Sequence, residues 1–127
     1  MTLLDTDVLV DIQRGHPPAV AWMRTIGADY FIIPGAAVIE LLAGSRNRIE
    51  LEKSVEFISM LSVSWLSEAD NELAAKLVRQ YRLSTGLGLA HFMIAAQTLN
   101  AGATLLTFNL KHFRAIPNSD AKSPYSR

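Results

Sequence analysis

Leu3-Leu4-Asp5-Thr6-Asp7, followed by Val8-Leu9-Val10, is the stretch on which the fold turns. Two leucines run into a carboxylate, a hydroxyl and a second carboxylate, and the apolar pattern then resumes. An apolar run that stops at acids reads as a buried strand ending at the lip of a cleft. In open α/β sheets, ligands collect at the carboxyl ends of the strands. Asp5 at such an end either holds a divalent cation or turns the chain and caps the helix that follows.

Working outward, Leu3–Asp5 is a strand and Asp7–Arg14 a helix, with Thr6 or Asp7 as its N-cap and Gly15 ending it. Pro17-Pro18 suits the first turn of a second helix, which Gly27 stops. Tyr30–Ile33 is β-branched and aromatic, hence a second strand. Ala36–Ala43 is a helix that is apolar on every face except at Glu40. Asn47–Met60 has helical spacing at Ile49, Val55 and Ile58. Val63–Leu66 is a third strand. Ser67 with Asp70 three residues later opens another helix, whose buried stripe is Leu73, Leu77 and Tyr81. Thr85–Leu89 is a loop, and Ala90–Asn100 a nearly apolar helix broken by His91 and Gln97. Thr104–Thr107 is a fourth strand, and Ala115–Pro117 reads as a short edge strand. The tail Asn118–Arg127 looks loosely held, with Pro124-Tyr125 as the pair able to dock. Strands separated by helices give an α/β layer structure with a mainly parallel sheet.

The 127 residues form one domain spanning 1–127, and half of them are hydrophobic, which excludes a disordered chain. Twelve basic residues balance twelve acidic ones, so a whole-surface basic field for gripping nucleic acid is absent. Cysteine is absent, which removes disulfides, thiolate metal sites and a Cys nucleophile, and fits a reducing, cytoplasmic setting. Acids interrupt the first apolar run within a few residues, unlike a signal peptide. No stretch approaches the roughly 18 apolar residues that span a bilayer.

Four polar positions interrupt apolar sequence near one predicted sheet edge: Asp5, Glu40, His91 and Asn109. Glu40 sits in a helix with no polar face to receive it. Burying an unpaired carboxylate costs several kcal/mol, roughly, or drives it neutral, and a bound cation removes that problem. A partner such as Arg46, or a partly exposed helix edge, is the alternative. Asn109 closes the fourth strand, where an amide oxygen either ligates a hard cation or forms a turn. A lone His on an apolar helix is more often a hydrogen-bonded rim residue.

The chain resembles the PIN-domain ribonucleases, and within them the VapC-type toxins of bacterial toxin–antitoxin pairs. Leu3–Leu9 is similar to the family's opening motif, and Val38–Gly44 to its second. Gly88–Ala96 resembles the third, and Leu105–Phe113 the fourth. The resemblance runs in order along nearly the whole chain. It implies a three-layer α/β/α sandwich around a mainly parallel sheet of four to five strands. It also implies hydrolysis of RNA phosphodiesters with Mg²⁺ or Mn²⁺, held by Asp5, Glu40, position 91 and Asn109. Thr6 and Thr107 would orient those ligands, and Arg14, Arg46, Arg48, Lys111, His112 and Arg114 are candidate phosphate contacts. A homodimer and a small VapB-type antitoxin are the implied partners.

The sequence departs from the family at one place. The third motif normally supplies an aspartate, and here His91 stands there. Mg²⁺ prefers hard oxygen donors. Imidazole brings a nitrogen and no negative charge, and suits Zn²⁺ or Ni²⁺ better than Mn²⁺. The substitution therefore predicts weak Mg²⁺ binding and impaired cleavage. A PIN-fold protein that binds RNA or antitoxin without efficient cleavage is the second reading. A phosphoacceptor receiver domain is a third, but it needs an aspartate after the third strand, where Trp65-Leu66-Ser67-Glu68 stands.

Overall fold

A computed structural model describes residues 1–27 and 30–127. In chain order the elements are β1 (Thr2–Leu4), α1 (Thr6–Gln13), α2 (Pro17–Ile26), β2 (Ile33–Pro34), α3 (Gly35–Ala43) and α4 (Arg48–Ser59). They continue as β3 (Val63–Ser64), α5 (Glu68–Thr85), α6 (Leu89–Asn100), β4 (Thr104–Leu106), α7 (Leu110–Arg114) and β5 (Ala121–Lys122). The α/β class with parallel strands is as expected. Every strand pairing among the described residues is parallel.

The sheet is built in two pieces. β1, β4 and β5 pair in the order β1-β4-β5, and β2 pairs with β3. A single parallel bridge between Leu3 and Ile32 joins the pieces, so β1 lies in the middle. Leu3 stands opposite Leu105, and Leu4 opposite Leu106. These positions are buried, as central parallel strands require with helices to cover them. Phe92, Ile94, Phe113 and Ile116 complete the core with Val8 and Leu9 of α1. Each such side chain contributes about 1.5–3 kcal/mol by leaving water.

The helix starts follow local chemistry. Ser67 Oγ accepts from Asp70 N at 3.1 Å while Asp70 Oδ2 accepts from Ser67 N at 2.9 Å, the reciprocal box read from the sequence. Asn100 Nδ2 donates to Asp70 Oδ1 at 2.9 Å, tying the start of α5 to the end of α6. Gly86 ends α5 at φ 70°, a left-handed conformation that a side chain would strain. α3 begins directly after β2, and Gly35 allows it. A Cβ there would lie 2.8 Å from Trp65 Cε3 and 3.0 Å from Trp65 Cα.

Five expectations need correction. The N-cap of α1 is Asp5, not Thr6 or Asp7, since Asp5 Oδ1 accepts from Thr6 N at 2.8 Å. In α4 the helix is right and Ile58 packs against the core, but Ile49 and Val55 do not face inward. Ile49 is 69% and Val55 48% exposed, while Ser54 is buried and its hydroxyl accepts from Gln13 Nε2 of α1. Ala115–Pro117 is a turn rather than an edge strand. The edge comes later, where Leu105 N donates to Asp120 O at 2.8 Å and Thr107 N to Lys122 O at 2.9 Å. The loop after Asn109 winds into α7. The tail is held more closely than its composition suggests: it supplies β5, and the Tyr125 ring packs against Trp22 and Phe108.

Candidate active site

Parallel pairing puts the carboxyl ends of β1 and β4 side by side, so Asp5 and Thr107 leave their strands together. Asp5 N donates to Leu106 O at 3.0 Å, extending the ladder by one step. Asp5 is 1% exposed. Its two carboxylate oxygens have different partners. Oδ1 caps α1 at Thr6 N, and Oδ2 accepts the Thr107 hydroxyl at 2.7 Å. Thr107 Oγ1 also accepts from Asn109 N at 2.9 Å, so one hydroxyl couples Asp5 to the turn that carries Asn109.

Electrostatics at this point are frustrated. Burial pushes the Asp5 carboxyl above its ordinary range, and the nearby Glu40 charge pushes it further. The bonds from Thr107 and Thr6 and the nearby Asn109 amide pull the other way without prevailing. Asp7, two residues on, is raised to about 6 by burial and by the charge of Asp5. Its Oδ2 accepts from Phe108 N at 2.9 Å, while Oδ1 is buried with no partner. The Thr6 hydroxyl is likewise buried and unbonded. Two carboxylates pushed above their ordinary pKa range, a third beside them, and orphaned polar atoms form a site that a cation would relieve.

The residues picked out by sequence fall into two groups. Glu40 lies on the half-buried side of α3 and lines a groove of about 710 Å³ between α1, α3 and α4. Thr6, Arg14 and Arg46 line the same groove, and so does Lys53, which sequence reasoning passed over. Arg46 bonds Glu50 at 2.7 Å, so the Glu40–Arg46 pairing weighed above is not the one formed. Arg48 pairs with Glu52 at 3.3 Å on the exposed surface of α4. Lys111, His112 and Arg114 follow Asn109 on α7. His91, in the first turn of α6, lies edge-on to Phe113 with ring centroids 5.5 Å apart and to His112 at 6.0 Å.

The donor set fits a hard divalent cation. Asp5, Glu40 and Asn109 offer oxygen, and Mg²⁺ commonly takes one or two carboxylates and fills its octahedron with water and substrate phosphate. Among the described residues no cluster of three or more His, Cys, Asp or Glu is placed to hold a metal.

Sequence reasoning also missed Asp7, read only as a cap, and Gln97. Gln97 Oε1 accepts from Ala36 N at 3.2 Å and its Nε2 donates to Ser64 O at 2.7 Å. That amide seats the first turn of α3, the helix that carries Glu40. Its one sequence signal was an amide in an otherwise apolar helix.

Comparison with known proteins shows the family and the fold. Residues 2–118 match the family described as PIN domain. The chain is 33% identical over 128 residues to Ribonuclease VapC19 of Mycobacterium tuberculosis, covering 98% of this chain and all of that protein. Similar solved folds include DNA-bound VapBC from Salmonella typhimurium, with TM-score 0.79, 21% identity and 97% of each chain covered. VapBC2 from Rickettsia felis bound to a promoter DNA fragment gives TM-score 0.77 at 24% identity, over 96% of this chain and 97% of that one. Among the described residues no helix is long and apolar enough to cross a membrane.

Proposed function

The chain belongs to the PIN-domain family, and we propose that it is a VapC-type toxin that hydrolyses RNA phosphodiester bonds with a divalent cation, Mg²⁺ or Mn²⁺. The closeness of the Glu40 charge and the Asn109 amide to the buried Asp5 carboxylate at the end of β1 supports this reading. Asp5 and Glu40 would hold the cation and Asn109 would add an amide oxygen, directly or through water. When bound, the cation supplies Lewis-acid polarisation of a phosphoryl oxygen and lowers the pKa of water.

The chain's own residues do the rest. Thr107 holds Asp5 Oδ2 by its hydroxyl and so fixes the carboxylate's rotation. The α1 N-terminus holds Oδ1. Arg14 and Lys53 line the groove beside Glu40, where they would draw the phosphate backbone to the carboxylates. Burial of Asp5 keeps bulk water from its carboxylate and strengthens each interaction there.

The expected partners are RNA, a VapB-type antitoxin and a second copy of the chain, in the cytoplasm. Ile39, 51% exposed on a helix otherwise buried over Gly35–Val38, is apolar surface that such partners would cover. Histidine at position 91, where the family's third motif normally supplies an aspartate, favours low activity over full activity. The receiver-domain alternative has no support: after β3 the chain presents Ser67, whose hydroxyl is occupied capping α5.

The test is Mg²⁺- or Mn²⁺-dependent cleavage of RNA by the purified chain, with Asp5→Asn and Glu40→Gln as controls. Metal-dependent cleavage that both substitutions abolish supports the reading. Cleavage that survives them places the chemistry elsewhere.

A further inference from the structure

Asp11 lies one helical turn beyond Asp7 on α1 and is buried. Its carboxylate accepts three hydrogen bonds from the segment around Tyr125. The Tyr125 hydroxyl reaches Oδ2 at 2.8 Å, Arg127 Nε reaches the same oxygen at 3.1 Å, and Arg127 Nη2 reaches Oδ1 at 3.0 Å. The two guanidinium bonds form a fork that only arginine can make. The same guanidinium lies 4.6 Å over the Phe108 ring, and Tyr125 meets that ring edge-on at 5.0 Å.

Phe108 is therefore held from two sides by residues anchored on α1. It is also the middle residue of the turn that matters. Thr107 before it bonds Asp5, Asn109 after it faces the same carboxylate, and its own N–H donates to Asp7. The Phe108 ring is partly buried against the hydrophobic core, with Tyr125 and Arg127 on its outer side.

We infer that Tyr125 and Arg127 are positioning residues for the active site: clamped on Asp11, they press Phe108 against α1 and set where the Asn109 amide stands relative to Asp5. The inference rests on the nuclease reading for its functional consequence but not for its structural one. Loosening the clamp would let the turn open and detach an amide donor, without touching the carboxylates.

The experiment uses the full chain with Arg127→Ala and Arg127→Lys. Amide hydrogen exchange is followed by NMR at Phe108 and Asn109, with Leu4 and Leu105 as internal references. The Mg²⁺ concentration giving half-maximal RNA cleavage is read on the same samples. The clamp predicts about tenfold or faster exchange at Phe108 and Asn109 in Arg127→Ala, with the references unchanged. It also predicts a rise of several-fold, roughly, in the Mg²⁺ midpoint with little loss of rate at saturation. Lysine keeps the charge but loses fork and stacking, so it should resemble alanine. Unchanged exchange at both turn amides overturns the inference, as does an equal rise at the references, which would mean general destabilisation. Full rescue by lysine would reduce the contact to simple charge and also overturn it. Should the unsubstituted chain cleave no RNA at any Mg²⁺ concentration, the nuclease reading fails while the exchange data still decide the clamp.

Discussion

The Thr107 hydroxyl donates to Asp5 Oδ2 at 2.7 Å, joining residues 102 positions apart, and Thr107 Oγ1 in turn accepts from Asn109 N. A threonine at the end of a buried strand is otherwise unremarked, because β-branched residues are common there. Its place between two candidate ligands gives it a role in orienting both.

Thr107→Val keeps the shape and removes the hydroxyl. Asp5 Oδ2 and the Asn109 N–H then lose their partner inside the protein. Unfolding by urea should show a loss of about 1–3 kcal/mol. Thr107→Ser should recover most of it. Equal stability of the valine and serine forms would show that the hydroxyl is not holding the two groups.

The pH dependence follows from Asp7. Its carboxyl is raised from the ordinary 3.8 to about 6, so between those values the folded chain binds more protons than the unfolded one. Stability must then fall as pH rises through that window, and Asp5, also raised, adds in the same sense. Asp11 works oppositely. Burial pulls its carboxyl up, but the Arg127 fork and the Tyr125 hydroxyl outweigh that and hold it low, so its contribution disappears as pH drops below the ordinary carboxylate range. In metal-free buffer, Asp7→Asn should flatten the decline of the thermal midpoint between pH 4 and about 6. Saturating Mg²⁺ should raise the midpoint more at pH 7 than at pH 4, because its ligands must be deprotonated. A Mg²⁺ effect independent of pH would argue against carboxylate ligation.

His91→Asp restores the acid that the family motif leads one to expect. If position 91 faces the cation, calorimetric titration should show Mg²⁺ affinity rising by about tenfold or more, and RNA cleavage should rise with it. The new carboxylate also forfeits the edge contacts with Phe113 and His112, so a modest drop in stability is expected. Unchanged affinity would place position 91 outside the coordination sphere.

Gly35→Ala probes the seat of α3. The added methyl would meet Trp65 Cε3 at 2.8 Å and backbone at 3.0 and 3.2 Å. Overpacking of this kind costs about 1–3 kcal/mol. Removing the ring in Gly35→Ala/Trp65→Ala should relieve only part of that, since the Trp65 Cα and Ser64 O contacts remain. Complete relief would mean that the ring alone limits the approach.

Much of the fold could be read from local chemistry. The Ser67–Asp70 box, the proline start of α2 and the apolar strands at Leu3 and Leu105 each depend on neighbours close in the chain. Where local signals were equivocal, tertiary contacts decided. Asn47 marked the start of α4, but its inward face was fixed by tertiary packing, which sets Phe57 and Ile58 against the core and Ser54 beside Gln13 of α1. The edge strand was sought at Ala115–Pro117, yet pairing fell to Ala121–Lys122 because Leu105 N and Thr107 N found acceptors there.

The sequence by itself determined which residue types stand at the ends of the apolar runs, and hence that Asp5, Glu40 and Asn109 are candidates for one site. It also determined that a histidine occupies position 91. Only the tertiary structure decided which candidates meet: parallel pairing of β1 with β4 sets Thr107 beside Asp5, and Gln97 seats the helix that carries Glu40. It alone turned the tail into a clamp on Asp11. The physical reason is range. Caps, turns and helix periodicity are settled within a few residues, whereas the burial and mutual repulsion that charge a site arise between groups the chain brings together only when folded.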